Sequence, residues 1–347
     1  MNTSISPDFA GRIHLCLGVK NGHVASVNIE STRPQGVTKI FAGRSAHETV
    51  RILGLIFSLC STAQSMAALG AIERALGGKA SKSEQVSRDI LREAEMLSQT
   101  VMRVAMDWPQ LLGLKPDIEM TRAALNVQSL IEEALFGGAN WKQVGGAGLT
   151  PDVAGVGEHL LNLQDVINSG LYQDGLADQL LAALDEFELN GFGALGSKVD
   201  PELGALTRHW YAADVVQARE TYGAGLRARL MARLVDLEDL PKSQMAHLDH
   251  LGPCSPSAAA FNIDGTGEAT VETARGALTH KVEIKDGLVA AYEISAPTDL
   301  NFEANGVVAI GLRDVAVSDK ESLQRAAELH VLAVDPCVKC DLVINDV

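Results

Sequence analysis

Asp335-Pro336-Cys337-Val338-Lys339-Cys340-Asp341-Leu342-Val343-Ile344-Asn345 places two thiols three residues apart, directly after a proline and close to the end of a 347-residue chain. Thiolates at this spacing face one metal ion or close into a redox disulfide. A thioredoxin-like motif opens a helix after a strand, whereas this pair follows a helical pattern near the chain's end. Only one further thiol, Cys60, stands in a comparably loaded context. A four-donor zinc site would need one donor beyond Cys60, Cys337 and Cys340, and His280 or His330 would be candidates. Cys16 falls in an alternating strand pattern and Cys254 in a Pro/Ser loop, and both read as buried or incidental thiols.

The bulk chemistry narrows the function classes. Charged residues make up 21% and hydrophobic ones 46%, the balance of a globular protein with ample material for a core. A formal net charge of −15 argues against nucleic acid and against an anionic membrane surface, since both reward basic patches. The opening Met1-Asn-Thr-Ser-Ile-Ser-Pro-Asp8 has neither the positive nor the apolar region of a signal peptide. The most apolar window, Ile52 to Leu59, is too short to cross a bilayer. Five cysteines in such a chain read as reduced thiols, which predicts a cytoplasmic protein.

The hydrophobic period predicts an α+β chain, mainly helical, in one domain over 1–347. A hairpin is expected over 11–30, because Asn21-Gly22 between apolar runs suits a type I′ turn. A helical core is expected over 45–237. Its first helix opens at a capping-box pattern, Ser45 with Glu48, and runs to Gly77-Gly78 with Cys60 near its middle, where Ser61 and Thr62 leave room for a local break. Ser81 with Glu84 opens the next, which Trp108-Pro109 should stop. Pro116-Asp117 opens another, closed by Gly137. Gly145-Gly146-Ala147-Gly148 reads as a loop and not a phosphate cradle, having no strand before it and no Lys-Ser/Thr. Further helices are predicted over 174–188 and 205–237, the latter with Arg227, Arg229 and Arg233 on a solvated face. The segment 268–347 is expected to hold a second hairpin around Asp286-Gly287, a helix over 318–329, and the metal-ligand tail.

Several stretches in this order resemble the large subunit of nickel–iron hydrogenases. Phe57-Ser-Leu-Cys60-Ser-Thr-Ala-Gln64 resembles that family's N-terminal Cys-x-x-Cys-x-x-x-His motif. The Asp335 stretch resembles its C-terminal Asp-Pro-Cys-x-x-Cys-x-x-His. Arg275-Gly276-Ala-Leu278-Thr-His280 resembles its Arg-Gly-x-Leu-x-His element, and Pro297-Thr298-Asp-Leu-Asn301 its Pro-Thr-x-x-Asn element. The resemblance covers about residues 10–78 and 268–343 and implies a hydrogenase-large-subunit-like fold.

What the resemblance implies for the site depends on the departures. By position Cys60 and Cys340 match the thiolates that bridge nickel and iron, and Cys337 matches a terminal nickel ligand. Phe57 replaces the other nickel thiolate. Gln64 and Val343 replace the two closing histidines, and His14 replaces a proton-transfer glutamate. Soft thiolates suit iron that already carries cyanide and carbonyl ligands. Arg275 and Thr298 would hydrogen-bond the cyanides while Pro297 packs beside the carbonyl. A guanidinium–cyanide bond is worth about 1.5–3 kcal/mol. The chain also stops four residues after Val343, without the extension that active family members lose on maturation.

These features imply a paralogue of the large subunit, of the HupK/HoxV kind of hydrogenase maturation protein. Such a scaffold would hold the iron–cyanide–carbonyl fragment, with nickel unlikely to bind, and pass it on. Its expected partners are hydrogenase accessory chaperones and the hydrogenase large subunit, with no nucleic acid and no membrane. The alternatives are a divergent nickel-binding hydrogenase or hydrogen sensor, and a structural paralogue without a cofactor.

Overall fold

The computed structural model describes residues 11–33, 36–195, 202–257 and 261–347. The opening octapeptide read above for targeting lies outside them. Arg12–Lys20 (β1) and His23–Ser31 (β2) form the predicted antiparallel hairpin. Asn21 and Gly22 take φ values of 52° and 75°, as a type I′ turn requires. Ile13, Leu15 and Leu17 are buried on one face of β1.

The long helix expected through Cys60 is two. Ala46–Ile56 (α1) breaks at Phe57, whose φ and ψ are −101° and 65°, and Ser61–Ala75 (α2) restarts after a short 3-10 turn. Cys60 therefore sits at the start of α2, not within a helix. Ser45 caps α1 by accepting from the Glu48 amide at 3.2 Å. Ser81 does the same for Glu84 at the start of Lys82–Met102 (α3), also at 3.2 Å. Neither glutamate returns the bond: Glu48 pairs with Arg44, and Glu84 accepts from the Ala147 amide at 2.8 Å. The glycine loop thus lies on the protein's own carboxylates.

α3 does not stop at Pro109. A π turn at Arg103–Asp107 widens the helix, which runs on into Trp108–Leu112 (α4), and the Ala105 carbonyl, four residues before Pro109, accepts instead from the Asp117 amide at 2.8 Å. Asp117 then caps Ile118–Phe136 (α5), as predicted, through the Met120 amide at 2.9 Å. Val153–Asn168 (α6) and Leu176–Glu186 (α7) follow.

The helix predicted over 205–237 is three: Ala205–Arg208 (α8), Ala213–Tyr222 (α9) and Leu226–His247 (α10). Gly223, at φ 81°, ends the second. α10 runs past Pro241 because tertiary packing holds the next turn, where buried Gln244 donates to the Ile90 carbonyl at 3.0 Å. Its arginines also correct the prediction. Arg229 and Arg233 are 1% and 2% exposed, and only Arg227 reaches solvent in part. Arg229 pairs with Glu202 at 2.8 Å and Arg233 with Asp335 at 3.3 Å. Partners far along the chain, unseen in the local pattern, take these charges inward.

In the last quarter Gly265–Thr273 (β3), Gly276–Lys285 (β4) and Leu288–Ser295 (β5) make a three-stranded antiparallel sheet, one strand more than expected. Pro297–Asn301 (α11), Val307–Leu312 (α12) and Lys320–Val334 (α13) lead to Lys339–Asp346 (β6). β6, absent from the prediction, lies parallel to β1 with Cys340 opposite Ile13. The two ends of the chain thereby share one sheet.

α2 lies close against β3. A Cβ at Gly267 would stand 2.0 Å from the Ala71 carbonyl oxygen, so only glycine allows this approach. Gly267→Ala should lower stability by about 1–3 kcal/mol through overpacking. Gly252→Ala, with no atom within 4 Å of its Cβ, should not. Denaturant midpoints of the two variants test this.

Candidate functional site

Cys60 and Cys337 line one cavity of about 620 Å³, together with Phe57, Ile13 and Thr298. One thiol starts α2 and the other lies between α13 and β6, so the cavity joins segments from opposite ends of the chain. Its walls follow from local bonds. The Cys337 amide donates to the Thr298 hydroxyl at 3.2 Å, and Thr298, 2% exposed, stands on the first turn of α11 beside buried Pro297. Gln64, one turn along α2, donates its side-chain amide to the Cys60 sulfur at 3.8 Å. The amides of Thr62 and Ala63 donate to the Glu95 carboxylate of α3 at 2.8 and 3.1 Å.

Burial pushes the Cys60 thiol up to about 12, with the nearby Cys337 and Glu95 adding to the effect and Arg275 and Gln64 opposing it. Burial and then Asp341 push Cys340 to about 12 as well. Without a metal both are protonated thiols, so loading a metal must displace their protons.

The three cysteines that the resemblance groups do not all meet. Cys340 is not among the residues lining the cavity. Among the described residues, no group of three or more His, Cys, Asp or Glu is placed to hold a metal ion. Cys340 pairs with Ile13 in the β1–β6 ladder, and both it and Cys337 pack against the apolar cluster that contains Ile13. Nor do the histidines expected as further donors arrive. His280 bonds the Tyr292 hydroxyl at 2.8 Å and His330 packs beside Arg229, and burial lowers both to about 3. His14 and Val343 are on the partly exposed terminal sheet, where His14 faces Asp341 at 3.7 Å.

Arg275, 4% exposed, occupies the turn between β3 and β4. Its Nη1 donates to Gln99 at 2.7 Å and its Nη2 lies 3.4 Å from Asp335, while its buried Nε has no partner. Asp335 collects two more arginines, Arg103 at 2.7 Å and Arg233 at 3.3 Å. Burial alone would raise the Asp335 carboxyl. Arg103, Arg275 and Arg233 outweigh it and hold it well below the usual carboxylate range. Arg103 is the firmest partner, raised by Asp335, whereas burial drives Arg233 down.

Sequence reasoning did not find Glu95, Gln99 and Arg103. They stand four residues apart on one face of α3 and its π turn, and they reach the Cys60 segment, Arg275 and Asp335 in turn. Their signal was a polar i, i+4 series beside the apolar stripe, which also suits an exposed face.

No family model matches the chain. It overlays the Ni-Fe-Se hydrogenase of D. vulgaris Hildenborough with a TM-score of 0.72 at 18% identity, over 92% of this chain and 94% of that one. The fold is therefore that of the hydrogenase large subunit. The hydrogenase expression/formation protein HupK of Azotobacter vinelandii is 30% identical over 352 residues, covering 96% of this chain and 99% of that protein. HupV of Azotobacter chroococcum mcd 1 is 28% identical over 96% of this chain and 99% of its own length, and HoxV of Cupriavidus necator 24% over 89% and 91%. The chain belongs to this family of hydrogenase expression/formation proteins, paralogous to the large subunit.

Asp335→Asn should cost about 3–5 kcal/mol at neutral pH by leaving buried arginines without their carboxylate. The native carboxyl is depressed, so its contribution is complete above the unfolded value of about 3.9 and fades as pH falls through the native one. Urea unfolding at several pH values should show the gap between wild type and variant closing only below about pH 4.

Proposed function

We propose that this protein is a non-catalytic assembly scaffold, which holds an iron carrying cyanide and carbonyl ligands and passes it to the hydrogenase large subunit. The observation that carries this reading is the shared cavity, lined by two thiols from distant parts of the chain; Arg275, close enough to act on the Cys60 thiol, keeps a buried Nε without a partner. Iron is the cargo. Thiolates are suitable donors for it. The unpaired Arg275 Nε suits a cyanide nitrogen, an anionic acceptor, in a setting where a charge-assisted bond is strong. Thr298 and Pro297 would complete the wall around the diatomic ligands.

The resemblance gives Cys340 the place opposite Cys60. Cys337 lines the cavity with Cys60 and supports the nearer pair, while Cys340, opposite cavity-lining Ile13, is a third thiol. Phe57 fills part of the same wall, where a nickel thiolate would be needed, so a second metal lacks donors. Fewer thiolates than a complete nickel–iron site also suit a cargo that must leave. Accessory chaperones that deliver the fragment and the large subunit that receives it are the partners this role requires. Reduced thiols fit a cytoplasmic setting, and no helix among the described residues is long and apolar enough to cross a membrane.

Protein purified without oxygen should contain iron but no nickel and show infrared bands of bound cyanide and carbonyl. Cys60→Ala and Cys337→Ala should each lose the iron. Stoichiometric nickel with hydrogen–dye activity would establish a hydrogenase instead, and zinc without infrared bands a structural paralogue.

A further inference from the structure

We propose that Glu95 and Gln99 are positioning residues for the thiol cavity: they fix the backbone that carries Cys60 and tie it to Arg275. Cys60 lies where one helix has ended and the next begins, a point at which backbone amides lose their helical partners. Cys60 provides no side-chain cap for α2. Glu95 replaces it from another helix, accepting from both the Thr62 and Ala63 amides. Gln99, one turn further along α3, donates its side-chain amide to the Leu59 carbonyl and accepts from Arg275 with its oxygen at 2.7 Å. The residues on either side of Cys60 are thus both anchored to α3.

The same face extends to the other thiol. Arg103, a further turn on, bonds Asp335 at 2.8 Å, two residues before Cys337. Three contacts from one helix face therefore register Cys60, Arg275 and the C-terminal tail against each other. Packing alone does not require them. Ile90, Ala94, Leu97 and Val101 already bury the apolar stripe of α3. A buried carboxylate such as Glu95, 4% exposed, is tolerated only where hydrogen bonds offset its desolvation. Its bonds go to the segment bearing Cys60. Gln99 reaches two elements with one rigid amide, so its loss frees the turn and Arg275 together.

Two readouts test this on the full chain. In metal-free protein, alkylation by iodoacetamide is followed at each cysteine by mass spectrometry. Gln99→Ala, which removes no charge, should speed reaction at Cys60 by about tenfold or more by opening the segment locally and leave Cys254 unchanged; Glu95→Gln should speed it too, partly because the thiol loses a neighbouring charge. In iron-loaded protein, which rests on the scaffold reading, Gln99→Ala should also move the cyanide bands, because Arg275 loses its anchor. The isosteric Glu95→Gln should leave those bands in place. Unchanged Cys60 reactivity in both variants would overturn the proposal, even if their melting temperatures fall. If wild-type protein shows no cyanide bands, the scaffold reading fails and the alkylation rates alone decide the positioning role.

Discussion

One buried carboxylate orders the site. Asp335 ends α13 in the left-handed region, at φ 65°, and turns its side chain onto Arg103, Arg233 and Arg275. These come from the π turn after α3, from α10 and from the turn between β3 and β4. Each guanidinium is costly to bury, and each is tolerated because the carboxylate is there. The constraint acts in both directions. The arginines fix where the tail leaves α13, and the tail keeps Arg275 close to Cys60. From this point Pro336 and the Thr298 bond set Cys337 in the cavity, and the next residues enter the parallel ladder with β1.

The cavity brings together thiols from distant parts of a large-subunit fold, with Phe57 on its wall. Burial makes the Cys60 thiol weakly acidic. A metal would bind it only by displacing its proton, and a returning proton would favour release. Gln64 maintains a donor to the Cys60 sulfur without an ionisable ring, and Phe57 closes a wall with carbon.

Local chemistry made much of this legible in the sequence. Asn21-Gly22 announces a turn, Ser45, Ser81 and Asp117 announce helix starts, and the spaced motifs name the residues around the cavity. What escaped is non-local. Ser61 and Thr62 leave room for a break, but the Glu95 carboxylate of α3 that caps the restart, and the π turn before Pro109, come from outside that stretch. Arg229 and Arg233 look solvated until Glu202 and Asp335 are found beside them. β6 pairs with a strand at the far end of the chain, which brings Cys340 opposite Ile13. Motif order points to three cysteines, and the cavity is lined by two of them, Cys60 and Cys337.

In the proposed scaffold role, Cys60 and Cys337 hold the iron. Iron-edge X-ray absorption on protein purified without oxygen, beside the Cys340→Ala variant, tests it most directly. The account predicts that the variant retains its iron and that the sulfur shell around it is unchanged. Loss of a sulfur neighbour in Cys340→Ala would contradict the account and return the bridging place to Cys340.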